Sequence, residues 1–138
     1  MSEATQIVAI DGPAGAGKST AAKRAAKALG FNFLDTGAMY RAATWWALHQ
    51  GLDLDDPLAL SESTRGMQLD MEESDRGQQV WVNGVDVSAA IRMPEVTRVI
   101  YKLDQNPDVR RHLVALQRQF GERAPSVAEG RDIGTVVF

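Results

Sequence analysis

The chain has no cysteine among its 138 residues, which excludes disulfide frameworks and thiolate metal sites and leaves the redox compartment unmarked. No apolar run approaches the roughly 18 residues of a membrane span. The opening MSEATQ is polar and acidic, unlike a signal peptide. A cytoplasmic protein without a membrane partner is the expectation. Positive charge is also short: 15 Lys and Arg against 18 Asp and Glu leave a net charge of −3. That balance argues against nucleic acid as a partner, which wants a basic face. It leaves anionic small ligands open, because a local nest of amides and arginines can outweigh the global sign. Repeats and low-complexity segments are absent too. What remains, 44% hydrophobic and 24% charged, is the composition of one soluble globular domain.

The apolar run over residues 6–10 predicts a parallel strand buried on both faces. Lys18 to Leu29, rich in alanine, predicts a helix stopped by Gly30. Phe31 to Asp35 follows as a short strand, and Gly37 to Gln50 as a second helix stopped by Gly51. Asp56 reads as an N-cap with Pro57 at the first helical position. After Gly66, MQLDMEESDRGQQVWVNG alternates apolar and polar twice around a turn at Ser74 to Gly77, which predicts an antiparallel hairpin. Asn83-Gly84 signals another turn. Met93 to Asp104 and Asp108 to Phe120 read as helices separated at Asn106-Pro107, and Ser126 to Gly130 as a strand. The expected fold class is α/β: a parallel sheet with flanking helices over residues 1–62 and 103–138, and a small antiparallel and helical insertion over 63–102.

One stretch carries chemistry outright. GPAGAGKS, Gly12 to Ser19, fits G-x-x-x-x-G-K-[ST] between a strand and a helix. Glycines let successive backbone N–H groups turn toward phosphate oxygens without a Cβ in the way. The following helix points its positive end at the same place. Lys18 supplies a point charge to the β- and γ-phosphates, and the Ser19 hydroxyl can ligate Mg²⁺. The candidate nucleotide-phosphate site is thus Gly12, Pro13, Ala14, Gly15, Ala16, Gly17, Lys18, Ser19 and Thr20, with Mg²⁺ arriving on the nucleotide. No Asn-Lys-x-Asp guanine motif occurs, which disfavours a GTPase, and the chain is short for a motor. A kinase needs a second anion site. Arg41, Arg110 and Arg131 each follow a turn element, and guanidinium forks bind phosphate bidentately while staying charged.

IDGPAGAGKST, LDTGAMYR, NGVDVSAAIR, PDVR and EGRDIGTVVF occur in the order and approximate spacing of bacterial cytidylate kinases, and the chain resembles that family from Ile7 to Phe138. The resemblance implies a nucleoside-monophosphate-kinase fold, transfer of the ATP γ-phosphate to CMP or dCMP, and a monophosphate-binding role for the 63–102 insertion. It also implies catalytic roles for Lys18, Arg41 and Arg131. Thr36, Tyr40, Arg41 and Arg131 would surround the CMP phosphate and sugar, with Tyr101, Arg110 and Asp132 at the base. Cytosine offers an amine donor beside two acceptors, so a carboxylate and a guanidinium complement it. Uracil would leave such groups unpaired. The nucleophile would be a CMP phosphate oxygen, whose second pKa of about 6 leaves it ionised at neutral pH. A general base is then unnecessary, and positioning and charge neutralisation carry the rate.

Two features depart from that family. A tyrosine stands at position 101, where the family usually has a small hydroxyl residue. The family also continues past Phe138 with further strands and an arginine-rich lid. An unpaired first strand would expose an apolar edge, so self-association and weak activity are expected of this chain alone. Elsewhere, Trp45-Trp46 reads as core or interface, and His49 and His112 as surface residues. Asp53, Asp55 and Asp56 read as helix capping rather than a calcium loop. Asp11 could act near magnesium through water or stabilise the turn.

Overall fold

The computed structural model describes residues 7–11, 18–74, 77–123 and 126–130. Its contacts divide the chain into two compact units, Met1–Gly37 with Val114–Phe138, and Ala38–Leu113. Among the described residues the first unit holds three parallel strands in the order β1 (Ile7–Asp11), β6 (Ser126–Gly130), β2 (Asn32–Asp35). Ile7 and Asn32 both register on Ser126, and the opposite ends meet as Asp11 with Gly130 and Asp35 with Glu129. Parallel strands need a crossover, and the alanine-rich helix α1 (Lys18–Leu29) supplies it between β1 and β2. Ala26 and Phe33 are buried together, with Ala25 and Phe31 packed against them.

Glycine closes α1 as the sequence predicts. Gly30 has φ +67° and donates to the Lys27 carbonyl (3.3 Å), while Phe31 donates to that of Ala26 (2.9 Å). This paired closure satisfies carbonyls that the helix end would leave bare. Helix α2 (Thr36–His49) ends identically: Gly51, φ +69°, donates to Leu48 (3.0 Å) and Leu52 to Ala47 (3.2 Å).

In the second unit, Asp56 caps α3 (Pro57–Gly66), accepting from the Leu58 and Ala59 amides at 3.2 and 3.3 Å. The antiparallel sheet runs β3 (Leu69–Ser74), β4 (Gly77–Val82), β5 (Val85–Asp86). Part of the predicted turn between β3 and β4 lies outside the described residues. Val80 and Val82 are buried on alternate positions of β4, as period two requires. Asn83 (φ 49°) and Gly84 (φ 80°) make the two-residue turn to β5. Asp86 then accepts the Ser88 hydroxyl and amide, and those bonds hold its carboxyl below the usual value.

Two expectations need correction. Met93 to Asp104 is not one helix: a 3₁₀ turn (Ala90–Arg92) precedes α4 (Pro94–Thr97) and α5 (Ile100–Asp104). Pro94 cannot donate to the preceding turn, and Val99 (φ −119°, ψ 1°) leaves helical geometry between the two pieces. Of the two readings of Trp45 and Trp46, core and interface, the first is excluded, because both side chains are half-buried. The buried apolar residues of α2 are Ala38, Met39, Ala42, Ala43 and Ala47. Both indoles instead stack against exposed His49, at ring separations of 4.8 and 5.9 Å. The last helix, α6 (Pro107–Arg123), begins where the Asn106-Pro107 pair predicts.

Candidate functional site

The carboxyl ends of β1, β2 and β6 lie at one edge of the parallel sheet, since Asp11, Asp35, Glu129 and Gly130 share the last registers. Ligands of open parallel sheets bind at that edge. From there the chain runs into each candidate segment of the first unit. Residues 12–17 follow β1 and lead to Lys18, Ser19 and Thr20 in the first turn of α1. Thr36, buried, follows β2 as the first residue of α2. Arg131 and Asp132 follow β6 in sequence. Gly12, Pro13, Ala14, Gly15, Ala16, Gly17, Arg131 and Asp132 lie outside the described residues. The strand–helix spacing around residues 12–17 is that of a phosphate loop, and helix N-termini favour anions. A Cβ at Gly37 would stand 3.2 Å from Asp35 Oδ1, a contact relieved if that carboxylate gives by a few tenths of an ångström.

The remaining candidates belong to the second unit. Arg41, half-buried on α2, donates through Nη1 to the Ile91 carbonyl (3.3 Å) and to Thr97 Oγ1 (2.9 Å). One guanidinium nitrogen therefore ties α2 to the 3₁₀ turn and to the end of α4. Tyr40 is half-buried, and its carbonyl accepts the Thr44 hydroxyl at 2.7 Å.

Tyr101 is 48% exposed on α5, so its ring is not consumed by core packing. The next residue moors that helix: Lys102 Nζ stands 2.6 Å from Asp55 Oδ1. This hydrogen bond, more than the opposing desolvation, raises the lysine pKa. The acidic run thus divides its work. Asp56 caps α3, Asp53 accepts the Asp55 amide (2.9 Å), and Asp55 holds Lys102.

Arg110 is exposed in the first turn of α6. Asn106 fixes where that turn begins. Its Oδ1 accepts the Asp108 and Val109 amides at 3.0 and 3.2 Å, while its Nδ2 donates to the Pro57 carbonyl at 3.0 Å. One buried side chain so caps α6 and ties it to the start of α3. Sequence reasoning took Asn106-Pro107 only as a separator, although an asparagine before a proline at the first helical position is itself a capping signal. Thr97 carried no such signal, since its contact with Arg41 spans 56 positions.

His112 is partly rather than fully exposed. Desolvation, and secondarily the charge of Arg65, push its pKa below the ordinary histidine value. Among the described residues no group of three or more His, Asp or Glu is arranged to hold a metal ion, and no helix is long and apolar enough to cross a membrane.

Comparison with known proteins adds a family-level finding. Residues 8–138 match the family model described as Cytidylate kinase. A cytidylate kinase of Solibacter usitatus is 52% identical over 132 residues, covering 96% of this chain and 55% of that protein. Bifunctional pantoate ligase/cytidylate kinases of Synechococcus elongatus and Acaryochloris marina are 53% and 47% identical, again over 96% of this chain but 26% of theirs. The chain thus spans about half of the single-function relative and about a quarter of the bifunctional ones.

Proposed function

The chain belongs to the cytidylate kinase family, and from that premise we propose that it carries the ATP-phosphate loop and much of the acceptor site of a kinase phosphorylating CMP or dCMP. The single-function and bifunctional relatives share only the cytidylate kinase part of their names, and each aligns over 96% of this chain. The observation that carries the reading is the common edge of β1, β2 and β6, from which residues 12–17, Thr36 and residues 131–132 all continue. It supports a P-loop nucleoside-monophosphate-kinase fold, with residues 63–102 as the monophosphate-binding insertion.

In this reading the residue 12–17 amides and Lys18 hold the ATP phosphates. Mg²⁺ would enter with ATP, which suits an ion bound by few protein oxygens beside substrate phosphates. Ser19 would be its protein ligand, and the ion would neutralise charge on the β- and γ-oxygens. Thr36, Tyr40, Arg41 and Arg131 orient the ionised CMP phosphate, so that its oxygen faces the γ-phosphorus. That oxygen forms the new P–O bond as the bond to the β-phosphate oxygen breaks, leaving ADP and CDP. Arg110 and Asp132 read cytosine, with Tyr101 beside them. Self-association through β1, which pairs only with β6 among the described residues, and a cytoplasmic location belong to the same proposal.

Binding tests this without requiring turnover. CMP should raise Tm more than UMP does, and Asp132→Asn should narrow the gap because an amide can turn either a donor or an acceptor to the ring. Lys18→Ala should weaken ATP roughly 100-fold, the scale of a charge-assisted contact, while sparing CMP. Equal shifts with CMP and UMP, or ATP affinity indifferent to Lys18, would refute the assignment.

A further inference from the structure

We propose that Thr97 is a positioning residue for the acceptor phosphate, acting by holding Arg41; this rests on the role given to Arg41 above. Both bonds that the described residues make to this guanidinium come from Nη1, to Thr97 Oγ1 at 2.9 Å and the Ile91 carbonyl at 3.3 Å. Bidentate anion recognition uses a pair of parallel N–H groups on one edge of the fork. Anchoring Nη1 leaves the Nε–Nη2 edge for that purpose and fixes the plane in which it lies.

The threonine is itself oriented. Its oxygen accepts from Arg41 at 2.9 Å, and the Met93 carbonyl, a long 3.5 Å away along α4, is the acceptor on hand for its own proton. Met93 in turn accepts the Val96 and Thr97 amides at 3.0 and 3.2 Å, which ties the relay to the start of α4. An untethered arginine would lose rotamer freedom on meeting the phosphate. Here much of that ordering precedes the ligand, which is how preorganisation raises affinity.

Calorimetric titration of CMP and of cytidine, which lacks the phosphate, distinguishes this from a packing role. Thr97→Val keeps the shape and removes the acceptor. It should weaken CMP about tenfold and leave cytidine unchanged, whereas Thr97→Ser should retain CMP affinity within about twofold. In an Arg41→Ala background Thr97→Val should cost nothing further, since the two act as one unit. Equal losses for CMP and cytidine, or additive losses in the double variant, would overturn the proposal. Should Thr97→Val not fold, Thr97→Ala takes its place in the same comparison. If Arg41→Ala leaves CMP affinity intact, the acceptor reading itself fails, and this inference with it. If Arg41→Ala weakens CMP while Thr97→Val does not, only the role of Thr97 falls.

Discussion

Around the ends of β1, β6 and β2, placement is a matter of backbone: parallel register sets Asp11 on Gly130 and Asp35 on Glu129, and helices begin from that edge. Within residues 38–113, the candidate residues depend instead on side chains that reach across sequence. Arg41 meets Ile91 and Thr97, Lys102 meets Asp55, and Asn106 meets Pro57. The two regions should therefore fail differently. A backbone arrangement tolerates changes of side chain so long as strand and helix persist. A tethered one is open to the loss of a single polar atom.

The largest test of that contrast is Asn106→Ala. It removes the α6 cap, about 1 kcal/mol, and the Asn106 Nδ2 bond to the Pro57 carbonyl, about another 1 kcal/mol. Denaturant unfolding should show a loss of about 2 kcal/mol. Asn106→Asp should restore roughly half, because a carboxylate still caps but cannot donate to Pro57. A loss below about 0.5 kcal/mol for the alanine variant would show that α6 does not depend on this tether.

Gly30→Ala and Gly51→Ala ask the complementary question, since one backbone device closes a helix in each unit. Neither position has an atom within 4 Å of the Cβ that would be added, and φ is +67° and +69°. Left-handed strain is then the whole cost, about 1 kcal/mol in each case. Matching drops in Tm are the expected result. A clear inequality would mean that local geometry is not what sets these helix ends.

The smallest expected effect is a pH dependence confined to the second unit. Desolvation, and secondarily Arg65, push the His112 pKa below the ordinary histidine value, so the unfolded chain binds its proton more readily. Stability from this source is complete above the ordinary histidine value near 6.5. It falls as pH drops below that value, until the depressed folded pKa is passed. Urea unfolding at pH 7.5 and at acidic pH should show the native chain losing more than His112→Gln. Identical losses would remove His112 from the account.

What was legible in the sequence follows the same division. Short-range chemistry wrote itself plainly: alanine density for α1, Gly30 and Gly51 for two helix ends, Asp56 and Pro57 for a cap, and alternation with Asn83-Gly84 for the small sheet. Each of these is decided by neighbours within about one turn or one pleat, so local propensity and side-chain period suffice. The phosphate-loop pattern and the family resemblance were likewise local strings, and the family match covers them. The tertiary structure alone decided four other things. It placed β6 between β1 and β2, because strand order depends on which non-local pairing buries the most apolar surface. It broke Met93 to Asp104 into short helices, and it left both tryptophans half-buried. It also chose Thr97, Asp55 and Pro57 as partners for Arg41, Lys102 and Asn106. Those contacts join residues 47 to 56 positions apart, and no local preference selects among the many hydroxyls, carboxylates and carbonyls that could serve until packing brings one within hydrogen-bond reach.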